Sequence, residues 1–496
     1  MAREVRMLLC NLARSFLLTF LLTLVAGCST IPDLSNPTPL ETKPIWDRKR
    51  PEFCIALSGG GIRSGAVSLG VLQSLQQQRI LQKADIISTV SGGGYPVYGL
   101  VASKAENPNL TLDDLLGSGS EHIQRTENTA FIDTLDGLFS GFLGSPQAAF
   151  ITVGRLLGPT PDIVERASVS FPYAMEIHDT FVGYPAPIGR GITLKDAQPF
   201  VDQLKFPYWI IQTSGSSGIR PPNSQYKKPF EDVFELSPMW IGSDTSGYMR
   251  SFVNDLRLMD AVVASAAAID APKNNEQKFA IPEWIKKTGF GAGAAVYLQD
   301  GSSIFLSDGG FIDNQAVVPL LRRNCKLILA LDASHDPQAD MKGWSILENM
   351  LRSRGWQINP PKFSADDHAS LAIDAWHLPS NLVALSASDP QSLESTIIVM
   401  KLGVSQGAIE DYPKATKLFW KSQLQDWQDR PRCNEEEGLS QRCTFPQQST
   451  SRQYFTPEEF RAYRCLGQFM AFEFMSSQHP RSLRTKNIDA EYFDCS

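Results

Sequence analysis

Three short segments of this chain combine glycines with a residue type that can do chemistry. They are residues 59–61 (Gly-Gly-Gly), 91–94 (Ser-Gly-Gly-Gly) and 307–310 (Ser-Asp-Gly-Gly). A serine hydroxyl is a weak nucleophile until a base takes its proton. Backbone N–H groups of successive glycines can hold an anion. Together the three segments predict a serine hydrolase.

Ser91 is the candidate nucleophile. It follows the apolar run 86–90 and precedes a helical pattern, which predicts a strand that turns sharply into a helix. Gly92 and Gly93 remove side chains that would clash in such a corner, and the amides beyond the serine can face a carbonyl oxygen. Thr89 stands where the common G-x-S-x-G motif has its first glycine. By itself, the run is also compatible with a plain turn.

The first segment is the candidate oxyanion hole. Gly59, Gly60 and Gly61 follow the apolar run 53–57, so their amides would lie between a strand and a helix N-terminus. Such a place suits an anion. A dinucleotide-binding loop would need another glycine at Ser64, and the Gly-Lys-Ser/Thr of a phosphate-binding P-loop is missing.

Asp308 is the candidate base. It ends the second strand of a predicted hairpin, and Gly309 and Gly310 follow it. A carboxylate beside Ser91 can take the hydroxyl proton without an imidazole, whereas none of the six histidines lies in a catalytic signature. A solvated Asp-Gly turn is the alternative interpretation. We expect neither a cofactor nor a metal ion.

Apolar strand-like runs alternate with helical patterns from about residue 52. This order predicts an α/β fold with a mostly parallel sheet that helices cover on both faces. Beyond about residue 340 the pattern changes to helices and irregular polar stretches, with a capping box at 456–459. We predict four parts: a signal peptide (1–27), a tether (28–50), a catalytic domain (51–338) and a C-terminal extension packed on the core (339–496).

The order and spacing of the three motifs resemble the patatin-like phospholipase family. The resemblance covers roughly residues 52–335 and includes the small-residue segment 263–267, which precedes Pro272. It implies a three-layer α/β/α fold with a mostly parallel central sheet and, here, a helical and irregular C-terminal extension. It also implies hydrolysis of acyl esters, with a membrane phospholipid or lysophospholipid as substrate.

The same resemblance implies residue roles. Ser91 would be the nucleophile and Asp308 its base, with backbone amides of the glycine loop as the oxyanion hole. Arg63 would support that loop or meet an anionic head group. Thr89 departs from the family pattern at a place where a side chain could narrow or strain the turn.

The first 27 residues resemble a bacterial lipoprotein signal. Three arginines precede the apolar stretch 16–25, which is shorter than the roughly 20 residues that span a bilayer. Cys28 follows Ala-Gly, as in a lipobox, and would be lipidated; an uncleaved anchor helix is the alternative. Ser29, rather than an aspartate, follows Cys28, and by resemblance to enterobacterial sorting this favours the outer membrane as the destination. We therefore expect a lipid-anchored, periplasm-facing protein of the cell envelope, attached to the membrane surface through Cys28.

Charge argues against nucleic acid as a partner. The formal net charge is -7, and loss of residues 1–27 removes three arginines and one glutamate, which takes it to -9. The chain has no basic face of the kind that binds phosphate backbones.

Cysteine usage divides the chain. Cys54 and Cys325 lie in apolar runs, which predicts inert core thiols. Four further cysteines cluster near the end, and in an oxidising periplasm we expect two disulfides among them. Three pairings are open, with a zinc site as the rival interpretation. These four are Cys433, Cys443, Cys465 and Cys495.

Two rival functions remain at this point. An α/β-hydrolase with a triad of Ser91, Asp308 and either His335 or His377 has the right chain order, but its fold usually places strands before the oxyanion loop. A catalytically inactive patatin-fold lipoprotein would act in binding. The apolar stretch 131–159 is either a flap over an acyl site, a membrane contact or buried core.

Overall fold

The computed structural model describes residues 50–129, 170–183, 191–216, 232–251, 256–267, 294–297, 303–336, 341–359, 382–390, 393–403, 413–418, 445–448, 450 and 455–476. The strands in these ranges are β1 Phe53–Leu57, β2 Ile86–Val90, β3 Tyr208–Ser216, β4 Asp232–Leu236, β5 Trp240–Ser243, β6 Gly247–Arg250, β7 Ala294–Tyr297, β8 Ser303–Asp308, β9 Leu327–Asp332, β10 Gln357–Asn359, β11 Leu382–Ser388 and β12 Glu394–Lys401. The α-helices are α1 Gly61–Gln77, α2 Tyr95–Glu106, α3 Leu112–Leu116, α4 Glu121–Thr129, α5 Ser170–Phe181, α6 Gln198–Gln203, α7 Leu258–Ser265, α8 Gly310–Asp313, α9 Val318–Arg322, α10 Lys342–Ser353 and α11 Pro457–Ser476.

One mixed sheet organises these elements. Its strand order is β10-β11-β12-β9-β1-β2-β3-β4-β5-β6, and β8 adds to β3 and carries β7. The central pairs β12–β9, β9–β1, β1–β2 and β2–β3 are parallel. The pairs toward the edges are antiparallel. The predicted α/β class with a mostly parallel central sheet is confirmed.

Two strands share one edge of β3, end to end. The parallel strand β2 pairs along the first half of β3, up to Val90 opposite Gln212. The antiparallel strand β8 takes over at the next residue, where Asp308 lies opposite Thr213. The carboxyl ends of β2 and β8 therefore meet head-on, and the loops that follow them leave the sheet at the same place.

The sheet buries both of its faces. Side chains alternate along β1, so that Ile55 and Leu57 enter one core while Cys54 and Ala56 enter the other. Helices α1, α2 and α11 cover the first face, and α9 and α10 cover the second. This arrangement is the three-layer architecture expected for a largely parallel sheet.

The segment beyond residue 339 contributes strands as well as helices. β12 pairs in parallel with β9, and β11 and β10 follow in antiparallel order. The sequence pattern predicted only helices and irregular stretches here. The run Ile397–Met400 is almost wholly buried on both faces, so it lacks the alternation that identifies a half-buried strand.

Helix α11 packs closely along α1. A Cβ atom at Gly70 would lie 1.8 Å from the carbonyl oxygen of Arg464, and one at Gly467 would lie 2.1 Å from that of Val67. The two glycines thus let the backbones touch. The Thr456 half of the predicted capping box is present, because the amide of Glu459 donates to Thr456 Oγ1 at 3.2 Å.

Cys54 and Cys325 form a disulfide, so the prediction of two inert thiols is wrong. Cys54 lies on β1 and Cys325 just ahead of the neighbouring strand β9, with their Cα atoms 6.4 Å apart. That separation is within the range a disulfide can bridge. Cys465, on α11, is also disulfide-bonded.

Several predicted features lie outside the described residues. These are the signal and tether, Cys28, the stretch 131–159, and three of the clustered cysteines, Cys433, Cys443 and Cys495. In the part of the chain that the structure describes, no helix is both long enough and apolar enough to cross a bilayer.

Removing the Cys54–Cys325 bond should destabilise the protein. The bond closes a loop across a sequence separation of 271 residues, and loss of a disulfide typically lowers the free energy of unfolding by about 2–5 kcal/mol. Denaturant unfolding of a Cys54→Ala/Cys325→Ala double variant measures the effect. Peptide mapping of the non-reduced protein is the control. Free thiols at both positions in protein from an oxidising compartment would contradict the disulfide.

Candidate active site

Ser91 occupies a strained corner between β2 and α2. Its φ is +51°, a left-handed conformation uncommon for a residue with a side chain. A 3₁₀ turn, Ser91–Gly94, joins the strand to the helix. The amide of Ser91 donates to Ser265 Oγ at 2.8 Å. Among the described residues, the Ser91 hydroxyl itself has no hydrogen-bond partner.

The glycines after Ser91 allow the corner to lie against the first glycine loop. A Cβ atom at Gly92 would be 1.9 Å from the carbonyl oxygen of Gly61. One at Gly93 would be 2.4 Å from the carbonyl oxygen of Leu57. Neither position can carry a side chain without moving the backbone, so Gly92 and Gly93 set the distance between the two loops.

Asp308 lies at the carboxyl end of β8, where β8 meets β2. Its Oδ1 accepts the amide of Gly310 at 2.7 Å, a charge-assisted hydrogen bond that orients the carboxylate. The strand end is anchored by Ser214 Oγ, which donates to the carbonyl oxygen of Asp308 at 2.8 Å. Asp308 and Ser91 are each 7% exposed, so both are largely shielded from water.

Gly309 lets the two strand ends approach. A Cβ atom there would lie 2.7 Å from the carbonyl oxygen of Gln212 and 2.8 Å from a methyl group of Val90. Gly310 is similarly restricted, since a Cβ atom would lie 3.0 Å from Asp308 Oδ1 and 2.6 Å from Asn314 Oδ1. The Asp-Gly-Gly sequence thus meets a steric requirement of the site.

The three glycines of the first loop differ in their available donors. The Gly59 amide donates to the carbonyl oxygen of Asn314 at 3.0 Å and is therefore occupied. Gly60 and Gly61 have φ values of +146° and +61° and stand at the N-terminus of α1. Within the described residues, neither of their amides has an acceptor. The loop lies close to the nucleophile, because a Cβ atom at Gly59 would be 3.3 Å from Ser91 Cβ.

Arg63 lies in the interior behind this loop. Its guanidinium donates to the carbonyl oxygen of Ala333 from Nη2 at 2.9 Å and from Nε at 3.3 Å, and from Nη1 to that of Gln448. Burial lowers the pKa of Arg63, while Tyr463 and Asp332 oppose the shift. Of the two roles considered, these contacts favour support of the loop over contact with a head group.

Thr89 fits its position through a hydrogen bond. Its Oγ1 accepts the indole N–H of Trp209 at 2.9 Å and donates to the carbonyl oxygen of Ile210 at 3.5 Å. Gly94 leaves room for it, since a Cβ atom there would be 3.2 Å from Thr89 Oγ1. The side chain thus packs behind the corner as part of a buried polar pair.

Replacing Thr89 should therefore affect stability and not chemistry. Thr89→Val keeps the shape but leaves the buried indole N–H of Trp209 unpaired, which costs about 1–3 kcal/mol of unfolding free energy. Denaturant unfolding measures this loss, and turnover per folded molecule should stay at the wild-type value. Thr89→Ser, which keeps the hydroxyl acceptor, is the matched control. Lower turnover in Thr89→Val at unchanged stability would contradict this role.

The described histidines are engaged elsewhere. His178 Nδ1 lies 2.7 Å from Tyr98 Oη and its Nε2 lies 3.4 Å from Glu106, between α2 and α5. Burial lowers the pKa of His178 to about 4. His122 bonds Arg125 on α4. His335 follows β9 and bonds the backbone of residues 447–448. The other three, His368, His377 and His479, lie outside the described residues.

Two residues that sequence reasoning did not single out also join the site. Asn314 accepts the Gly59 amide with its carbonyl, and its side chain lies between Gly59 and Gly310. Ser265, at the end of α7, contacts the Ser91 corner. Ser265 was in the small-residue segment 263–267, but its hydroxyl gave no signal of its own. Asn314 lies six residues after Asp308 and carried no recognisable pattern.

One family model matches the part of the chain that carries the glycine loop and the Ser91 corner. Residues 55–118 match the family model described as patatin-like phospholipase. The match contains the glycine loop, Arg63 and the Ser91 corner, and it ends long before Asp308. A comparison with curated protein sequences gave no significant match.

Solved structures show the same fold. Human GIVD cytosolic phospholipase A2 is similar with a TM-score of 0.54 and 15% sequence identity, over 86% of this chain and 62% of that chain. The same human protein in complex with methyl gamma-linolenyl fluorophosphonate gives a TM-score of 0.53 at 15% identity, over 86% and 59% of the two chains. At this identity the likeness concerns the fold, and this chain spans less than two thirds of either structure. With the family match, it confirms the resemblance to patatin-like phospholipases.

Proposed function

We propose that this protein hydrolyses the carboxylic ester bonds of membrane lipids with a Ser91–Asp308 dyad, because residues 55–118 match the patatin-like phospholipase family model. The observation that carries this proposal is the head-on meeting of β2 and β8 along β3, with Val90 opposite Gln212 and Asp308 opposite Thr213. It brings a serine on a strained corner and a carboxylate to one place. The fold itself supports lipid acyl hydrolase activity in general.

Acylation would proceed as follows. Asp308 takes the hydroxyl proton as Ser91 Oγ attacks the ester carbonyl carbon. The carbonyl oxygen becomes an oxyanion that the amides of Gly60 and Gly61 can stabilise, since neither has an acceptor in the described part of the chain and both stand at the positive end of α1. When the tetrahedral intermediate collapses, the alcohol leaves with the proton from Asp308, and the acyl group stays on Ser91.

Deacylation would reverse these roles. Asp308 takes a proton from water, which attacks the acyl-serine, and the second oxyanion uses the same two amides. Ser91 recovers its proton from Asp308 as the fatty acid leaves. Because the Gly59 amide is bonded to Asn314, we assign the donor role to Gly60 and Gly61 and give Gly59 a steric role.

The Ser91 hydroxyl has no hydrogen bond to any residue that the structure describes, and this is compatible with the mechanism. Catalytic hydrogen bonds are often long in the absence of substrate and tighten when it binds. The Asp308 carboxylate is already held at the strand junction by the Gly310 amide. The dyad would form when substrate binding brings the Ser91 hydroxyl within hydrogen-bond distance of this carboxylate.

Loss of either dyad residue should abolish ester hydrolysis. Ser91→Ala removes the nucleophile and Asp308→Asn removes the base. The two act as a unit, so the double variant should be little worse than either single one. Release of fatty acid from phospholipid and lysophospholipid vesicles measures turnover. Asp113→Asn is the control. Asp113 lies on α3 and forms a half-exposed ion pair with Arg79, so its loss should leave turnover at the wild-type value.

The same assay separates the rival functions. A triad enzyme would lose as much activity in His335→Ala or His377→Ala as in Ser91→Ala, whereas the dyad keeps turnover per folded molecule in both. Near wild-type turnover in Asp308→Asn would rule the dyad out. A wild-type protein that binds vesicles without releasing fatty acid would favour the inactive lipoprotein.

The proposal includes attachment to the envelope through Cys28. The Ala-Gly-Cys sequence supports lipidation, and the Cys54–Cys325 disulfide suits an oxidising compartment such as the periplasm. Several acyl chains on one residue hold a protein at a membrane, whereas one chain binds weakly. A lipid-anchored hydrolase would meet its phospholipid or lysophospholipid substrate at that surface, with the outer membrane favoured by Ser29.

Cys28→Ser should prevent lipidation and signal cleavage. Membrane fractionation and the mass of the mature N-terminus measure both effects. A chain that begins at Ser29, exported by an unrelated cleavable signal, is the control and should fractionate as a soluble protein. Membrane association of that shortened chain at the wild-type level would contradict anchoring by Cys28 and point to the stretch 131–159.

A further inference from the structure

Ser265 lies where three chain segments meet at the site. Its hydroxyl accepts the amide of Ser91 at 2.8 Å and donates to the carbonyl oxygen of Gln212 at 2.6 Å. Its carbonyl oxygen accepts the amide of Gly309 at 3.3 Å. One residue thus bonds the nucleophile corner, the strand β3 and the loop that follows Asp308.

The direction of these bonds is unambiguous. An amide N–H can only donate and a carbonyl can only accept, so the Ser265 proton points at Gln212 and its lone pair at Ser91. Ser265 is 1% exposed, so water cannot replace either partner. The hydroxyl is therefore held in a single orientation.

The two groups that Ser265 bonds lie where the pairing partner of β3 changes. The parallel ladder of β2 ends at Val90 opposite Gln212, and the β8 ladder begins at Thr213. The amide of Ser91 and the carbonyl of Gln212 lie at this junction. A buried backbone group without a partner is costly, and the left-handed φ of Ser91 is itself unfavourable for a residue with a side chain.

We propose that Ser265 is a positioning residue: its hydroxyl holds Ser91 in the left-handed corner, and its backbone ties that corner to the Asp308 loop. The inference rests on the proposed function, since Ser91 is the group it positions. Ser265 does not touch the reacting atoms. Its effect is on the placement of the nucleophile relative to the base and the oxyanion donors.

The small residues around Ser265 fit this role. Ala266 and Ala267 follow it, and Ser307 Oγ, next to Asp308, donates to the carbonyl oxygen of Ala267 at 3.2 Å. Short side chains let the end of α7 approach both loops. The segment thus braces the Asp308 side of the site through backbone contacts, which side-chain substitutions at Ser265 leave in place.

Ser265→Ala tests the hydroxyl. We expect kcat to fall on the order of 10- to 100-fold with little change in KM, because a misplaced nucleophile affects the chemical step and not lipid binding. The rate at which a fluorophosphonate labels Ser91 should fall by a similar factor. Ser265→Thr keeps the hydroxyl and should restore much of kcat per folded molecule, although its extra methyl group lowers stability.

Ser237→Ala is the matched control. Ser237 Oγ likewise bonds one backbone amide and one carbonyl, in the turn between β4 and β5: it accepts the amide of Trp240 at 3.1 Å and donates to the Trp240 carbonyl at 2.5 Å. It also lies 2.5 Å from Tyr208 Oη, so its loss removes a further hydrogen bond. A purely structural loss would lower the melting temperature of both variants and leave kcat per folded molecule unchanged in both. Positioning predicts that only Ser265→Ala loses kcat.

Hydrogen–deuterium exchange of peptides that contain the Ser91 amide gives a readout independent of activity. Exchange there should be faster in Ser265→Ala than in wild type and unchanged in Ser237→Ala. Wild-type kcat and wild-type exchange in Ser265→Ala would overturn the inference while leaving the proposed function intact. An inactive wild-type protein whose Ser91 exchange still depends on Ser265 would remove the proposed function but keep the contact.

Discussion

The site depends on the way one edge of β3 is divided between a parallel and an antiparallel strand. β2 holds this edge up to Gln212 and β8 holds it from Thr213. Backbone hydrogen bonds determine this register, and a slip of one residue would move a strand end by about 3.3 Å and turn its side chain to the other face. The relative position of Ser91 and Asp308 is therefore set by the sheet.

The glycine loop is held in place by Arg63 and the chain segments that Arg63 bonds. Arg63, in the first turn of α1, bonds the backbone of Ala333 after β9 and of Gln448 near the C-terminus. Tyr463 of α11 donates to the side chain of Gln448. Residues of the C-terminal part of the chain therefore help to support the glycine loop.

A buried charge network secures that packing. Arg464 of α11 and Glu127 of α4 are both almost fully buried and lie 2.5 Å apart, and Arg464 also bonds Gln73 of α1. A buried charge is tolerated only when it is paired and hydrogen-bonded. The contact thus selects one relative placement of three helices, of which α1 begins at the glycine loop.

The sequence by itself determined those strands and turns whose conformation depends on residues adjacent in the chain. Apolar runs identified β1 and β2, a hairpin pattern identified β8, and the glycines marked places where backbone must touch backbone. Ser91 and Asp308 could be proposed because each ends a strand and precedes glycines. These features are visible in the sequence because strand burial requires apolar residues and tight turns require glycine.

Only the tertiary structure decided which distant groups meet. The Gly59 amide is taken by Asn314, Cys54 bonds Cys325 across a separation of 271 residues, and Ser265 satisfies the Ser91 amide from 174 residues away. In the sequence, β12 is only a short apolar run; its pairing with β9 in the folded protein is what identifies it as a strand. A hydroxyl, an amide or a thiol has the same sequence signature whatever its partner, because hydrogen bonds and disulfides depend on position in space and not on order in the chain.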